Sequence, residues 1–224
     1  MLRYGPTSII LTQRTQRTQR TKNDDLRFSN TMKWDQEIWN IHVNTILNQT
    51  ILDQLQLPPP PRNDSLTTSK EIHDLLIKKS ARNASNQKDI ENEIDTFHYL
   101  TRFSNDVQEI KELNNFIIFS NAYIIYFKKF FDRVRPRVLE PQIEPTIKPP
   151  GHPAYPSGHA TKAYAFALLM SKKYPHRKDE FMRIANTIAT NRELAGVHYA
   201  SDTLAGLKLA LQLVPIYLKI KQKK

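Results

Sequence analysis

Residues 106–131 read DVQEIKELNNFIIFSNAYIIYFKKFF. The stretch opens amphipathic, with Val107, Ile110 and Leu113 at helical spacing, and from Phe116 to Phe131 it is apolar on nearly every side. A helix of that kind has to be covered by other helices, which places it in the middle of a bundle. Upstream, Trp34, Ile38, Ile41, Thr45, Leu52 and Leu55 predict a first helix that stops at Pro58–Pro61, a stiff connector. Thr68 with Glu71 three residues on has capping-box spacing and opens a second helix with Ile72, Leu75 and Leu76 inward. A third spans about 87–102, with Ile90, Ile94 and Phe97 on one side and Glu91, Glu93 and Asp95 on a solvated face. Downstream, seven prolines between Arg135 and Pro156 predict a long ordered loop or lid. Helices follow at about 158–173, 178–194 and 201–220, the last bent at Pro215. No run alternates cleanly enough for a sheet, so the fold class is all-α, a helical bundle.

With 224 residues the chain suits one domain plus a tail. Residues 1–29 form a basic arm, built around TQRTQRTQR at 12–20, with nothing to bury and disorder expected; residues 30–224 form the folded domain. The arm reads better as a solubilising tail than as a tether for nucleic acid or anionic lipid. Apolar residues at 39% and charged residues at 25% speak against wholesale disorder, and the absence of cysteine excludes disulfide scaffolds, thiolate metal sites and thiol nucleophiles. A formal charge of +11 favours anionic partners. The strongly apolar run 116–127 is too short to cross a bilayer, and Ile9–Leu11 is too short for a secretory signal, so the expectation is a soluble protein, cytoplasmic by preference, with peripheral membrane contact open.

Four of the five glycines fall in the last third of the chain, beside its most unusual local sequences. In Pro156-Ser157-Gly158-His159, Ser157 caps the helix that follows and Gly158 lets an anion approach the free backbone N–H groups. His159, inside that first turn, is placed to pass a proton to whatever binds there. His198 and Asp202 are four apart, a spacing that brings a carboxylate to one ring nitrogen; taken alone it suits a surface pair better than a catalytic one. Lys128 ends the apolar helix and Arg135 precedes a proline, so both can reach one anion, whereas Lys129, Arg133 and Arg137 read as exposed charges. His42 and His98 read as fillers of helix faces, His152 as a candidate for the pocket entrance, and Trp34 and Trp39 as packing residues.

Taken in order, Lys128…Arg135-Pro136, Pro156-Ser157-Gly158-His159 and Arg192…His198…Asp202 resemble the three-part signature of the type 2 phosphatidic acid phosphatase and vanadium haloperoxidase superfamily. Asn191 stands where that family often has Ser, and still offers a hydrogen-bond donor. The resemblance implies a bundle with an oxyanion cradle: Lys128, Arg135, Arg192, the Ser157 hydroxyl and the Gly158 N–H bind phosphate, and His198 attacks phosphorus to form a phosphohistidine. His159 protonates the leaving group and Asp202 orients His198. It implies a small phosphorylated substrate and no metal or other cofactor. Two alternatives stand beside the phosphatase: a haloperoxidase holding vanadate in the same cradle, and a basic anion-binding module without turnover.

Overall fold

The computed structural model describes the backbone at 26–44 and 47–223 and the side chains at 26–40 and 47–223; the TQR run and the His42 ring lie outside the described residues. The principal helices are α1 (Gln36–Asn44), α2 (Leu66–Ser80), α3 (Ala84–Asn92), α4 (Thr96–Thr101), α5 (Val107–Phe131), α6 (Gly158–Lys173), α7 (Lys178–Leu194) and α8 (Ala200–Gln222). No strand occurs among the described residues.

Helix α6 is the centre of the bundle and packs against both α7 and α8. Its buried positions include Ala160, Ala163, Ala165 and Ala167, which share one core with Ala185 and Ala189 of α7 and Ala210 of α8. Small side chains let helix axes come close, and at Gly206 nothing larger than hydrogen fits: a Cβ there would stand 2.8 Å from both Ala160 Cβ and the Ser157 carbonyl oxygen. The first turns of α6 and α8 are thereby pressed together, and the Ser157 N–H donates to the Asp202 carbonyl at 3.0 Å. Large side chains from α5, including Phe116, Ile124 and Phe127, close the other side of the core.

Several local expectations change. The first helix divides into α1 and a single turn at Gln49–Leu52. Helix α2 is capped by Ser65, which accepts from the Thr68 N–H at 3.2 Å, and Thr68 and Glu71 are buried. The third helix breaks in two because Glu93 turns inward and is fully buried, Ile94 swings out to 56% exposure, and Asp95 recaps α4 by accepting from the His98 N–H. His98 is exposed and fills no helix face. Phe28, assigned to the arm, is fully buried and its N–H donates to the Asp132 carbonyl at 2.9 Å, so packing begins at or before this residue. Helix α8 runs through Pro215 without interruption. Contrary to the sequence reading, α8 is also long and apolar enough to cross a membrane, its most apolar stretch having mean hydropathy 1.4. The proline-rich loop is pinned at several points, through Ala154 N–H to the Arg133 carbonyl at 2.9 Å and Thr146 N–H to the Ala195 carbonyl at 3.1 Å.

Candidate active site

The start of α8 carries the first half of the site. Gly196, at φ 75°, turns the chain out of α7 in a conformation that side-chain-bearing residues rarely adopt, and delivers His198 to the interior. His198 is 2% exposed. Its Nδ1 lies 3.1 Å from Asp202 Oδ2, and its Nε2 lies 3.1 Å from Arg135 Nη1. A guanidinium can only donate, so Nε2 carries the lone pair and Nδ1–H donates to the carboxylate. Asp202 is held in turn: Arg133 Nη1 donates to its Oδ1 at 2.7 Å and the Tyr199 N–H to its Oδ2 at 3.0 Å. Arg133 also donates to Glu71 Oε2 at 3.0 Å and lies 3.8 Å from the centre of the Tyr199 ring. The chain Glu71–Arg133–Asp202–His198 thus fixes one imidazole in one tautomer. Arg133, expected to be an exposed charge, is 3% exposed, whereas Lys129 and Arg137 are exposed.

Arg135 sits behind His198 with its donors engaged. Nε and Nη2 donate to the His152 carbonyl at 3.1 and 2.9 Å, Nη2 donates to His152 Nδ1 at 3.0 Å, and Nη1 donates to the Val197 carbonyl at 2.7 Å and to His198 Nε2. His152 therefore holds Arg135 rather than lining an entrance. Of the Arg135 contacts, the one to His198 Nε2 is the one an arriving anion has to replace, since both would claim the same space. Lys128 is 1% exposed and donates to the carbonyls of Pro153 and Ala154 at 2.8 and 3.2 Å, leaving one of its three N–H groups unused.

The second half of the site is the start of α6. Ser157 is fully buried and its Oγ accepts from the Ala160 N–H at 3.3 Å, while its own hydroxyl proton and the Gly158 and His159 N–H groups have no partner among the described residues. A Cβ on Gly158 would meet only Ile124 Cγ2, at an ordinary 3.6 Å, so packing does not demand a glycine there; close approach of a ligand does. Arg192 of α7 is 1% exposed and donates through Nη2 to Glu93 Oε2 and the Ile90 carbonyl, each at 2.8 Å, while Nε and Nη1 are buried without partners. Buried, unpartnered guanidinium donors are costly unless they receive an anion. Asn191 donates to Glu93 Oε1 at 2.7 Å, the hydrogen bond expected of it. His159 Nε2–H meets the Ile94 carbonyl at 3.1 Å, leaving Nδ1 for proton exchange.

The charges gathered here favour an anion. Burial and the Arg135 charge hold Lys128 well below the usual lysine range, and burial brings Arg135 down to about 10. His198 is pushed well below the ordinary imidazole value by burial, Arg135, Lys128, Arg192 and Arg133. His159 moves the same way through burial, Arg192, Lys162 and His198, and His152 through burial, Lys128 and Arg135. All three rings are neutral in the free protein near pH 7. Burial raises Glu93 and lowers Arg192 despite their mutual attraction, as in ion pairs whose desolvation outweighs their Coulombic gain. Among the described residues no group of three or more His, Asp or Glu is arranged to hold a metal.

Three residues of this site escaped the sequence reading. Glu93 looked like part of a solvated acidic face, Glu71 like a helix cap and Arg133 like one member of a basic run; each is buried as the partner of a buried charge. Nothing local marks them. The detectable signal was an excess of buried arginines needing counter-charges, which only the assembled bundle displays.

An all-α bundle with spare buried donors and a carboxylate-oriented histidine has the chemistry to bind a tetrahedral oxyanion and to accept a phosphoryl group. The PAP2 superfamily profile matches residues 111–224. A non-specific acid phosphatase of Salmonella typhi is 30% identical over 196 residues, covering 76% of this chain and 78% of the relative. The fold is similar to that of a bacterial vanadium-dependent iodoperoxidase, with TM-score 0.63 and 15% identity over 90% of this chain and 63% of that one. It is also similar to that of a transmembrane PAP2-type phosphatidylglycerolphosphate phosphatase from Bacillus subtilis, with TM-score 0.50 and 15% identity over 84% and 93% of the two chains. The chain belongs to the PAP2 superfamily, and it is a phosphatase.

Proposed function

We propose that the chain hydrolyses phosphate monoesters through a phosphohistidine on His198 Nε2. The observation that carries this is the fixed tautomer: Asp202 accepts a hydrogen bond from Nδ1–H, leaving the Nε2 lone pair facing the buried Arg135. A bound phosphoryl group would be held by Arg192 Nε and Nη1, the free Lys128 N–H, the Ser157 hydroxyl and the Gly158 N–H, with Arg135 turning one N–H from His198 to a phosphoryl oxygen. The dianion raises the pKa of His159, so that it binds as an imidazolium. Nε2 of His198 then forms a bond to phosphorus as the P–O bond to the leaving group breaks, and that oxygen takes the His159 proton. Water gives a proton back to His159 while attacking phosphorus, the P–N bond breaks, and phosphate leaves.

The test of this reading is a paired assay of one preparation: p-nitrophenyl phosphate alone, and bromide with peroxide and vanadate. Ester hydrolysis without bromide oxidation is the expected result; bromide oxidation without hydrolysis would install the haloperoxidase reading, which shares the three motifs and the fold. Binding of phosphate with neither reaction would leave the anion-binding module. His159→Ala should lower kcat/KM by about 10²–10⁴-fold for alkyl phosphates and far less for p-nitrophenyl phosphate, whose leaving group needs no proton. Equal losses on both would remove the acid role.

Three neutral histidines, His198 buried and His152 and His159 half-buried, also set an acid limit. Their folded pKa values lie below the unfolded value of about 6.5, so the unfolded chain binds more protons as pH falls beneath that value. Stability is full above about pH 6.5 and declines from there down through the depressed folded values. A bound dianion opposes the decline by raising those values. Sulfate, doubly charged throughout this range, should therefore raise Tm more at pH 5 than at pH 8; an equal rise at both would show that the rings do not face the anion.

As for setting, α8 carries Asp202 in its first turn and packs Leu209, Ala210, Leu213 and Val214 into the core, while Leu204 and Leu211 stay exposed. The substrate is a small phosphorylated molecule.

A further inference from the structure

Lys162 has no part in the chemistry above, and its surroundings are unusual. It lies on α6 three residues beyond His159 and four beyond Gly158, so its side chain rises from the same face of the helix as the proposed acid, with about 5–6 Å between Cβ atoms. Among the described residues it has neither an ion pair nor a hydrogen bond, although protein atoms crowd it enough for burial to lower its pKa. Asp95, next to the Ile94 carbonyl that holds the His159 ring, is the carboxylate whose charge reaches it, from beyond ion-pair distance. The charge of Lys162 reaches both the ring of His159 and the ammonium of Lys128, so it borders the cradle. Because it stands one turn beyond His159 on the same face of the helix, a group attached to the oxygen that His159 protonates comes within its reach.

We propose that Lys162 is a specificity residue that binds a second anionic group carried by the leaving alcohol, so that the preferred substrates are phosphate monoesters with a carboxylate or a further phosphate a few bonds from the ester oxygen. The inference rests on the hydrolase reading above. A cation held part-buried without a counter-charge is a standing electrostatic cost that such a group would remove, and a charge-assisted contact of this kind corresponds to roughly tenfold to hundredfold in kcat/KM.

The experiment compares 3-phosphoglycerate with glycerol 3-phosphate, which differ only in a carboxylate replacing a hydroxymethyl group, with p-nitrophenyl phosphate as a reference for turnover. The wild-type chain should favour 3-phosphoglycerate; Lys162→Met should lower the ratio of the two kcat/KM values by roughly tenfold or more, and Lys162→Arg should keep most of it. Because the ratio is taken within one preparation, a partly unfolded variant does not alter it. Hydrolysis of all three esters with an unchanged ratio in Lys162→Met overturns this inference alone, as does an equal loss on every ester, which would make Lys162 a fourth ligand of the transferred phosphate. Failure of the wild-type chain to hydrolyse any of them overturns the hydrolase reading, and this inference with it.

Discussion

Replacing His198 with alanine is expected to lower kcat/KM by on the order of 10⁴-fold or more while the chain remains folded. The reasoning is that the His198 ring supplies the lone pair that Asp202 orients towards Arg135, and its loss removes the bond to phosphorus. Stability should fall by no more than about 1–2 kcal/mol, because Asp202 keeps its bonds from Arg133 and the Tyr199 N–H when the ring is gone. Phosphate should still bind, since Arg192, Lys128 and the α6 N-terminus are untouched. Steady-state kinetics and urea unfolding on the same preparation check both halves. Turnover within tenfold of wild type would assign the nucleophile elsewhere.

The largest expected effect on stability is at Glu93. Its carboxylate is fully buried and receives Arg192 Nη2 and Asn191 Nδ2 at 2.8 and 2.7 Å. Removing it in Glu93→Ala leaves a buried guanidinium with no counter-charge, a change that destabilises proteins by about 3–5 kcal/mol. Glu93→Gln keeps an acceptor for Arg192 and should cost less. Added sulfate should recover part of the loss in Glu93→Ala, because it supplies the missing negative charge to the same guanidinium from the other side. A Glu93→Ala chain within about 1 kcal/mol of wild type by urea unfolding would mean that Arg192 has another partner in solution.

The parts of this architecture legible from sequence are those governed by local rules. Helices α6 and α7 begin and end where the Ser157 cap, the Pro175 break and the Gly196 turn dictate. The three motifs stood out as local sequences too, and the structure buries Lys128, Arg135, Ser157, Arg192, His198 and Asp202 within them. What was not legible depends on tertiary context. The pattern from 87 to 102 satisfies one amphipathic helix, and only the pull of Arg192 on Glu93 explains why the chain breaks there and exposes Ile94. Arg133 and Arg135 are two apart with similar neighbours in sequence, yet one braces Asp202 and the other backs His198; which cation faces a ligand is decided by the surrounding loops. His152 could be guessed to lie near the site, but its grip on Arg135 through both ring and carbonyl needs the folded proline-rich loop. The length of α8 was legible, but its mean hydropathy, high enough for a membrane span, was overlooked beside the more apolar run at 116–127.

The central claim is a covalent bond between His198 and phosphorus. His159→Ala should slow the second step, in which water must lose a proton, more than the first step with p-nitrophenyl phosphate, so the phosphoenzyme should accumulate in that variant. Quenching it in alkali during turnover, followed by peptide mass spectrometry, is expected to show one phosphate on His198 that is lost in acid and absent from the double variant His159→Ala/His198→Ala. A quenched enzyme that turns over without phosphate on His198, or that carries it on another residue, would contradict the account.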